Sequence, residues 1–257
     1  MKSDQIAIEF RKVSKRYRLY RSDKHRFAGI FSSKIPFKEV YANQNLNFTI
    51  RRGESVAVMG KNGAGKSTML KMITGVVFPS SGEVIVNGRV SALLELTAGF
   101  DLEFTGRENV HLRGQIWGLE AAEITDLEAK VVDFADIGDY IDQPMRTYSS
   151  GMKARVGFAI SAHINPEILV VDEALSVGDK AFRQKCDEKI REIMETDGVT
   201  VIFVTHSSGA AESICHRGLV LKKGKLAFDG PISEAIDFYE GPRDPGARDT
   251  DVVITDI

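Results

Sequence analysis

The sequence is poor in cysteine and in long apolar runs, and each shortage excludes a class of protein. Its 257 residues include two cysteines, Cys186 and Cys215, which are too few for a disulfide framework and lack the paired spacing of a zinc site. The longest apolar runs, such as residues 199–204, fall far short of the ~18 residues that cross a bilayer, and the N-terminal segment lacks the apolar centre of a signal peptide. We therefore expect a reduced, cytosolic protein, and any membrane span it needs must come from another chain.

The net charge of the chain is also small. Lys and Arg number 34 against 36 Asp and Glu, so 34 − 36 gives −2. This balance argues against a protein whose whole surface is devoted to nucleic acid or to an anionic membrane. The apolar fraction of 43% is enough for one compact unit with a sizeable core.

Short apolar runs alternate with longer helical patterns, which is typical of an α/β domain with a mainly parallel sheet. Buried-type strands are predicted over residues 55–59, 168–172 and 200–205, and antiparallel pieces over 83–87 and in a hairpin of 218–221 with 225–228. Helices are predicted over residues 66–74, 106–117, 123–135, 151–163, 180–196 and 208–215. Residues 97–163 lack a strong strand and are expected to form an inserted helical subdomain, and residues 241–257 a polar tail.

A glycine-rich turn stands directly between the strand at 55–59 and the helix at 66–74. It matches G-x-x-x-x-G-K-[ST] in full, with the residues Gly60, Lys61, Asn62, Gly63, Ala64, Gly65, Lys66 and Ser67. The glycines let backbone N–H groups turn inward around a polyphosphate, and the helix N-terminus adds its positive end. Lys66 can reach the outer phosphates and Ser67 can ligate Mg²⁺. The strand-to-helix context makes a simple glycine-rich turn the weaker explanation.

Two further strands end in side chains that suit a phosphate site. The strand at 168–172 ends in Asp172 and is followed by Glu173, and His206 follows the strand at 200–205. Strand ends in an open α/β sheet face the crevice where ligands bind, so Asp172 can hold Mg²⁺ through water and Glu173 can polarise an attacking water. A carboxylate or a histidine at a strand end can also be structural, and the P-loop match favours the functional interpretation.

The segment Tyr148-Ser149-Ser150-Gly151-Met152 stands at the start of the helix at 151–163. By itself it is explained as a serine-capped helix N-terminus. With the P-loop, the carboxylate pair, the segment Ser176-Val177-Gly178-Asp179 and His206 in this order, it resembles the ATP-binding cassette of ABC transporters over residues 8–239.

The resemblance implies a role for each motif. Residues 60–68, ending at Thr68, would be the Walker A loop, and residues 176–179, including Asp179, the D-loop at the nucleotide. Lys66, Glu173 and His206 would be catalytic, and Ser67 and Asp172 would bind Mg²⁺. The signature residues Ser149, Ser150 and Gly151 would contact the γ-phosphate of ATP bound to the other subunit, which implies a homodimer.

The sequence departs from the common cassette pattern in three places. The signature reads YSSGM instead of LSGGQ, a variant similar to that of exporters of bacterial polysaccharides and teichoic acids (polyol phosphates), as are ALLELTAGF and TGRENV between residues 92 and 110. The Q-loop glutamine is absent near residues 93–99, where Glu95 is the nearest polar substitute. The adenine-stacking ring is expected at Tyr17, with Tyr41 as the alternative; a core role for either ring is the ordinary explanation.

About 20 extra residues follow Tyr17 and form a basic insertion over residues 18–40. From residue 11 to 38 there are ten basic residues and one acid, Asp23, so 10 − 1 gives +9. A solvated loop is the ordinary explanation. The alternative is a segment near the cytoplasmic membrane face or an anionic lipid-linked substrate. Each basic residue near an anionic membrane surface contributes ~1 kcal/mol to the free energy of binding.

Together these features predict a P-loop NTPase core with a mainly parallel sheet, an antiparallel β subdomain and an inserted helical subdomain, in an ATP-binding domain over residues 1–240. The implied function is ATP hydrolysis on the cytoplasmic side of the cell membrane, driving export of lipid-linked teichoic acid or O-antigen/capsular polysaccharide. The implied partners are a second copy of the chain and two copies of a polytopic permease, without nucleic acid. The alternative is a soluble ABC-type ATPase acting on nucleic acid or ribosomes, which usually has two cassettes or a long coiled coil.

Overall fold

The computed structural model of the chain describes residues 5–31, 36–93, 96–97, 99–172, 178–196 and 198–241. The strands are β1 Ile6–Tyr20, β2 Phe37–Arg51, β3 Ser55–Met59, β4 Ser81–Val86, β5 Val90–Ala92, β6 Ile168–Asp172, β7 Thr200–Val204, β8 Arg217–Lys222 and β9 Lys225–Pro231. The helices are α1 Asp23–Phe31, α2 Lys66–Ile73, α3 Gly106–Ile116, α4 Ala121–Ala135, α5 Ser150–His163, α6 Lys180–Met194, α7 Ser208–Ile214 and α8 Ile232–Glu240, with 3₁₀ turns at Gly138–Asp142 and Met145–Thr147.

The six helices predicted from sequence are confirmed, each within two residues at either end, and so are the three buried strands. These strands lie in a six-stranded sheet of order β5-β6-β7-β3-β8-β9, in which all neighbours are parallel except β8 and β9. Both faces of the sheet are covered. Along β3, Val56 and Val58 pack into one hydrophobic core, and Ala57 and Met59 into the other. This explains why the strands are continuous apolar runs.

A second sheet of order β2-β1-β4 is antiparallel, as the predicted antiparallel subdomain requires. The long hairpin of β1 and β2 pairs from Ile6↔Arg51 out to Tyr20↔Phe37. A solvated loop over the basic segment is therefore wrong for its described part, which consists of the outer hairpin and α1. The sequence did not predict the hairpin because its outer half is largely exposed, so the alternation of Arg16, Tyr17, Arg18 and Leu19 does not mark a buried face.

Between β5 and β6 the described residues form α3, α4, the two 3₁₀ turns and α5, and their backbone makes a single isolated bridge, Thr105↔Pro144. Helices α3 and α4 approach closely because a glycine of one meets a large side chain of the other. At Gly114 of α3 a Cβ would lie 2.6 Å from the Ile124 side chain of α4. The predicted polar tail lies outside the described residues from residue 242 onward.

Candidate functional site

The P-loop runs from the end of β3 to the start of α2 and folds tightly because its outer glycines have no side chain. A Cβ on Gly60, at φ +150°, would lie 2.5 Å from the Leu221 carbonyl oxygen, and one on Gly65, at φ +105°, would lie 2.3 Å from the Ala42 carbonyl oxygen. A Cβ on Gly63, at φ +78°, would have none of the described residues within 4 Å. Close packing therefore requires glycine at the two ends of the loop, whereas the middle glycine is needed for its backbone conformation alone.

Within the part of the chain that the structure describes, no side chain caps the N-terminus of α2, where Gly65 is the N-cap. The first N–H groups of a helix lack intrahelical acceptors and carry the positive end of its dipole. The buried Lys66 ammonium donates a hydrogen bond to the Gly60 carbonyl oxygen across the loop, and Ser67 beside it is exposed. A polyphosphate in this loop would meet backbone N–H groups, an ammonium and a hydroxyl.

The far end of the P-loop is held from two sides. The side-chain amide of the fully buried Asn43, on β2, donates to the Gly65 carbonyl oxygen at 3.2 Å. The Gly224 N–H, in the turn between β8 and β9, donates to the Ala64 carbonyl oxygen at 2.9 Å. Sequence reasoning missed Asn43, because its contact joins residues 22 positions apart and no local pattern reports it.

The carboxyl ends of β6, β7 and β3 lie side by side at one edge of the sheet. Val204 of β7 pairs with Asp172 on one side and with Val58 on the other. The strand leading to His206 therefore stands between the strand of the P-loop and the strand of the carboxylate pair. His206 is exposed; Glu173 and Glu95 lie outside the described residues.

The signature segment begins α5, as the serine-capped start predicted. Ser149 is the N-cap, and its Oγ accepts a hydrogen bond from the Met152 N–H at 3.2 Å. Ser149 and Ser150 are exposed, and Gly151 is half-buried. Tyr148, directly before them, is buried, and its hydroxyl oxygen accepts a hydrogen bond from the Gly106 N–H at 3.1 Å. The helix start thus presents small polar residues at the surface.

The TGRENV segment forms the N-terminus of α3. A capping box joins Thr105 and Glu108, with each side chain accepting the other's N–H, at 3.1 and 2.8 Å. The Thr105 N–H holds the pKa of Glu108 below its usual value. The fully buried Asn109 donates from its amide to the carbonyl oxygens of Asp101 and Thr105, both at 2.9 Å. The polar residues of this segment are therefore used to fix α3 and the chain before it.

Asp179 is engaged within the chain at the start of α6. Its carboxylate accepts from the Phe182 N–H at 2.9 Å as the N-cap and pairs with Arg155 of α5 at 2.7 Å. The Phe182 N–H is the main cause that lowers the pKa of Asp179, and Arg155 adds to it. The Arg155 guanidinium also lies over the Phe182 ring at 4.5 Å. Asp179 therefore links the signature helix to the end of the predicted D-loop.

The two candidate adenine-stacking rings belong to adjacent pairs of the β1–β2 hairpin. Tyr17 lies opposite Val40, and Tyr41 lies opposite Arg16. Successive residues of a strand point to opposite faces, so Tyr17 and Tyr41 lie on opposite faces of the hairpin. Their exposed fractions are 40% and 44%, so neither ring is a core residue, and a single adenine can stack on one of them only.

A cavity of about 460 Å³ opens beside Ser67, between α2, β5, α3 and α5. The Arg113 guanidinium lies 5.5 Å from the Phe100 ring and 5.9 Å from the Trp117 ring at its wall. Burial lowers the pKa of Arg113. A Cβ on Gly157 of α5 would lie 2.1 Å from the carbonyl oxygen of Leu96, another wall residue. The signature helix thus touches the chain segment where the Q-loop is expected.

The site therefore combines a complete P-loop, a strand-end carboxylate at the same sheet edge and a serine-capped helix in an inserted helical region. The sequence profile of ABC transporters matches residues 43–176. The chain belongs to the ABC transporter family. It has the fold of an ABC ATPase cassette and binds and hydrolyses ATP.

Two curated proteins are similar to this cassette in sequence, and one solved structure is similar to it in fold. The chain is 42% identical over 236 residues to the teichoic acids export ATP-binding protein TagH of Listeria monocytogenes serotype 4b (strain F2365), covering 91% of this chain and 70% of that protein. It is 39% identical over 242 residues to the O-antigen export system ATP-binding protein RfbB of Klebsiella pneumoniae, covering 91% and 97%. The dimeric ATP-binding cassette MJ0796 in a post-hydrolysis state with ADP and phosphate superimposes with a TM-score of 0.67 at 23% identity, covering 88% and 98%.

Among the residues that the structure describes, no helix combines the length and the apolar character that crossing a bilayer requires.

Proposed function

We propose that this cassette is the ATP-hydrolysing subunit of a bacterial exporter for lipid-linked teichoic acid or O-antigen/capsular polysaccharide. One observation carries the proposal: over 91% of its length the chain is about 40% identical both to a teichoic acids export protein and to an O-antigen export protein. The ATP-binding domain would span residues 1–240, with its helical subdomain at 97–163.

Two copies of the chain would share each ATP. The P-loop supplies the N–H groups of the α2 N-terminus, and the exposed Ser149, Ser150 and Gly151 at the N-terminus of α5 would meet the γ-phosphate held by the partner. This role suits a helix start that offers N–H groups and small hydroxyl side chains to an anion. Closure of the dimer would then depend on ATP.

Hydrolysis transfers the γ-phosphoryl group to water in line with the departing ADP. Lys66 would exchange the Gly60 carbonyl oxygen for a phosphate oxygen, so its ammonium moves little. Glu173 would orient the water and take its proton, a contribution of about 10²–10⁴ in rate. His206 would contact the γ-phosphate from the next strand. Ser67 and Asp172 have the hydroxyl and carboxylate oxygens that suit Mg²⁺, which would neutralise charge on the outer phosphates.

The permease would dock at the cavity beside Ser67 on the cytoplasmic side of the membrane, with two cassettes serving two permease copies. Support for this comes from the cavity's aromatic wall, which includes Phe100 and Trp117, and from its contact with both α2 and α5. A helix of the permease placed there would touch the P-loop helix and the signature helix together, so closure of the cassettes could move it.

The outer β1–β2 hairpin and α1, which together carry the basic segment, would lie near the membrane face or the anionic head group of the substrate. Arg18, Arg21, Lys24 and Arg26 are exposed there, beside exposed apolar side chains such as Leu19, at 54%. Reversing these four basic residues to Glu should weaken transport and spare ATP hydrolysis by the isolated chain. Exchanging Arg and Lys at the same four positions keeps the charge and should leave transport near its original rate. Unchanged transport in the reversed variant would refute this placement.

Glu173→Gln tests the ATP-dependent dimer. The variant should retain ATP binding and accumulate a closed dimer in Mg·ATP, because the phosphates still bind while the water lacks its base. Glu212→Gln, on the exposed side of α7, is the matched control and should behave like the unmodified chain. Hydrolysis at the unmodified rate in Glu173→Gln would show that another group is the base.

Copurification separates the exporter from the soluble alternative. An exporter subunit should copurify with a polytopic membrane protein after mild detergent extraction. Recovery with ribosomes or nucleic acid and without a membrane protein would favour the alternative.

A further inference from the structure

The N-termini of α3 and α5 meet at one hydrogen bond inside the helical subdomain. The Gly106 N–H, the first of α3, donates to the hydroxyl oxygen of Tyr148, the residue before the N-cap of α5. A Cβ on Gly106 would lie 2.7 Å from that oxygen and 2.6 Å from the Ile141 side chain. Only glycine lets the two helix starts approach this closely.

The chain segments that lead into the two helices are also joined. The Met145 N–H donates to the Phe104 carbonyl oxygen and the Arg146 N–H to the Leu102 carbonyl oxygen, both at 2.8 Å. The hydrogen bond to the Tyr148 hydroxyl adds a third connection, directly before Ser149. Ser149 and Ser150, which follow, have no equivalent burial and are exposed.

We propose that Tyr148 is a positioning residue for ATP turnover: its hydroxyl fixes the start of α5 against the start of α3 and so sets where Ser149, Ser150 and Gly151 meet the nucleotide. The proposal rests on the proposed function, because it needs ATP shared between two subunits. Tyr148 does not itself touch ATP. It acts through the backbone of the signature segment.

The hydroxyl can be separated from the ring. Tyr148→Phe keeps the buried ring and leaves the Gly106 N–H without its acceptor, so the start of α5 loses its direct hydrogen bond to the start of α3. Hydrogen bonds from β2 and from the β8–β9 turn hold the P-loop, and Tyr148 takes part in neither, so ATP binding to a single chain should not change. The closed dimer around shared ATP should be less stable, because Ser149, Ser150 and Gly151 must first move into position.

The test measures dimer formation in the Glu173→Gln background by sedimentation in Mg·ATP, and nucleotide affinity separately with a fluorescent ATP analogue at concentrations where the chain is monomeric. Tyr148→Phe should raise the dimer dissociation constant about tenfold and leave the monomer's nucleotide affinity unchanged. Tyr140→Phe is the matched control, since this ring is 52% exposed and lies edge-on to Tyr148 with centroids 6.5 Å apart. It should leave both constants unchanged.

An unchanged dimer constant in Tyr148→Phe, or an equal loss of nucleotide affinity, overturns the proposal. A parent Glu173→Gln chain that forms no ATP-dependent dimer overturns the proposed function as well. A second measurement needs no variant: in the unmodified chain the Gly106 amide should exchange hydrogen as slowly as mid-helix amides of α3. Exchange as fast as that of an exposed first-turn amide would show that the bond to Tyr148 does not hold the helix.

Discussion

Two glycines of the P-loop allow the stability cost of lost close packing to be separated from the cost of a left-handed backbone conformation. Gly63 and Gly65 both have positive φ, at +78° and +105°, yet a Cβ at Gly63 would have none of the described residues within 4 Å. At Gly65 it would lie 2.3 Å from the Ala42 carbonyl oxygen and 2.6 Å from the Asn43 amide nitrogen. Replacing each by alanine therefore makes the same chemical change in different surroundings.

The expected losses of unfolding free energy differ severalfold. Gly63→Ala costs about 1–2 kcal/mol of left-handed strain, of which about 0.4–1 kcal/mol is recovered from the restricted unfolded chain. Gly65→Ala carries similar strain and adds an overpacking cost of about 1–3 kcal/mol. It also breaks the hydrogen bond from Asn43, worth about 1 kcal/mol. We expect a loss of about 1 kcal/mol for Gly63→Ala and about 3–5 kcal/mol for Gly65→Ala.

Urea unfolding, followed by the fluorescence of the single tryptophan, Trp117, measures both losses. The midpoint should fall in proportion to each loss with an unchanged slope, since the surface exposed on unfolding stays the same. Gly65→Ala should also lose ATP affinity, because the start of α2 moves away from Asn43. Losses within about 1 kcal/mol of each other in the two variants would refute the argument from close packing.

Three further predictions concern side chains outside the P-loop. Tyr17→Ala should weaken ATP binding about tenfold through loss of stacking, while Tyr41→Ala on the opposite hairpin face should not; the reverse result would assign the stack to Tyr41. Because the pKa of Asp179 is lowered in the folded chain, its carboxylate stabilises the fold above its usual pKa of 3.8, and this contribution is lost as the pH falls through the lower folded value. Asp179→Asn should therefore be less stable than the unmodified chain at pH 7, and this difference in stability should shrink as the pH falls below 3.8, as compared by urea unfolding. Burial raises the pKa of Cys186 and of Cys215 to about 12, so a thiol reagent at pH 8 should label neither until urea unfolds the chain; rapid labelling of the folded chain would contradict their burial.

The core of the cassette could be predicted from sequence because its signals are local. The run of residues 55–59 is apolar at every position except Ser55, since helices cover both sheet faces, and the glycines that follow mark the turn into α2. The Ser149 cap is likewise a local feature, formed with the N–H three residues later. Such patterns need no knowledge of distant residues.

The hairpin of β1 and β2 could not be predicted, because its pairing is non-local and its outer half has no buried face. Tyr20 and Phe37 pair across α1 and the residues beyond it, and exposed basic side chains such as Arg18 and Lys38 interrupt the apolar residues around them. A charge of +9 between residues 11 and 38 is compatible with a loop and with a strand, so it does not predict the hairpin.

The sequence by itself determined the chemistry of this protein: a phosphate-binding loop, a carboxylate pair after a buried strand and a serine-capped helix, each specified by residues adjacent in the chain. Only the tertiary structure decided how these parts are held together. Asn43 donates a hydrogen bond to the P-loop, β7 lies between β3 and β6, and the Tyr148 hydroxyl joins α5 to α3 through the Gly106 N–H. The physical reason is that these contacts join residues far apart in sequence, and only a hydrogen bond or a shared edge of the folded chain brings them within reach.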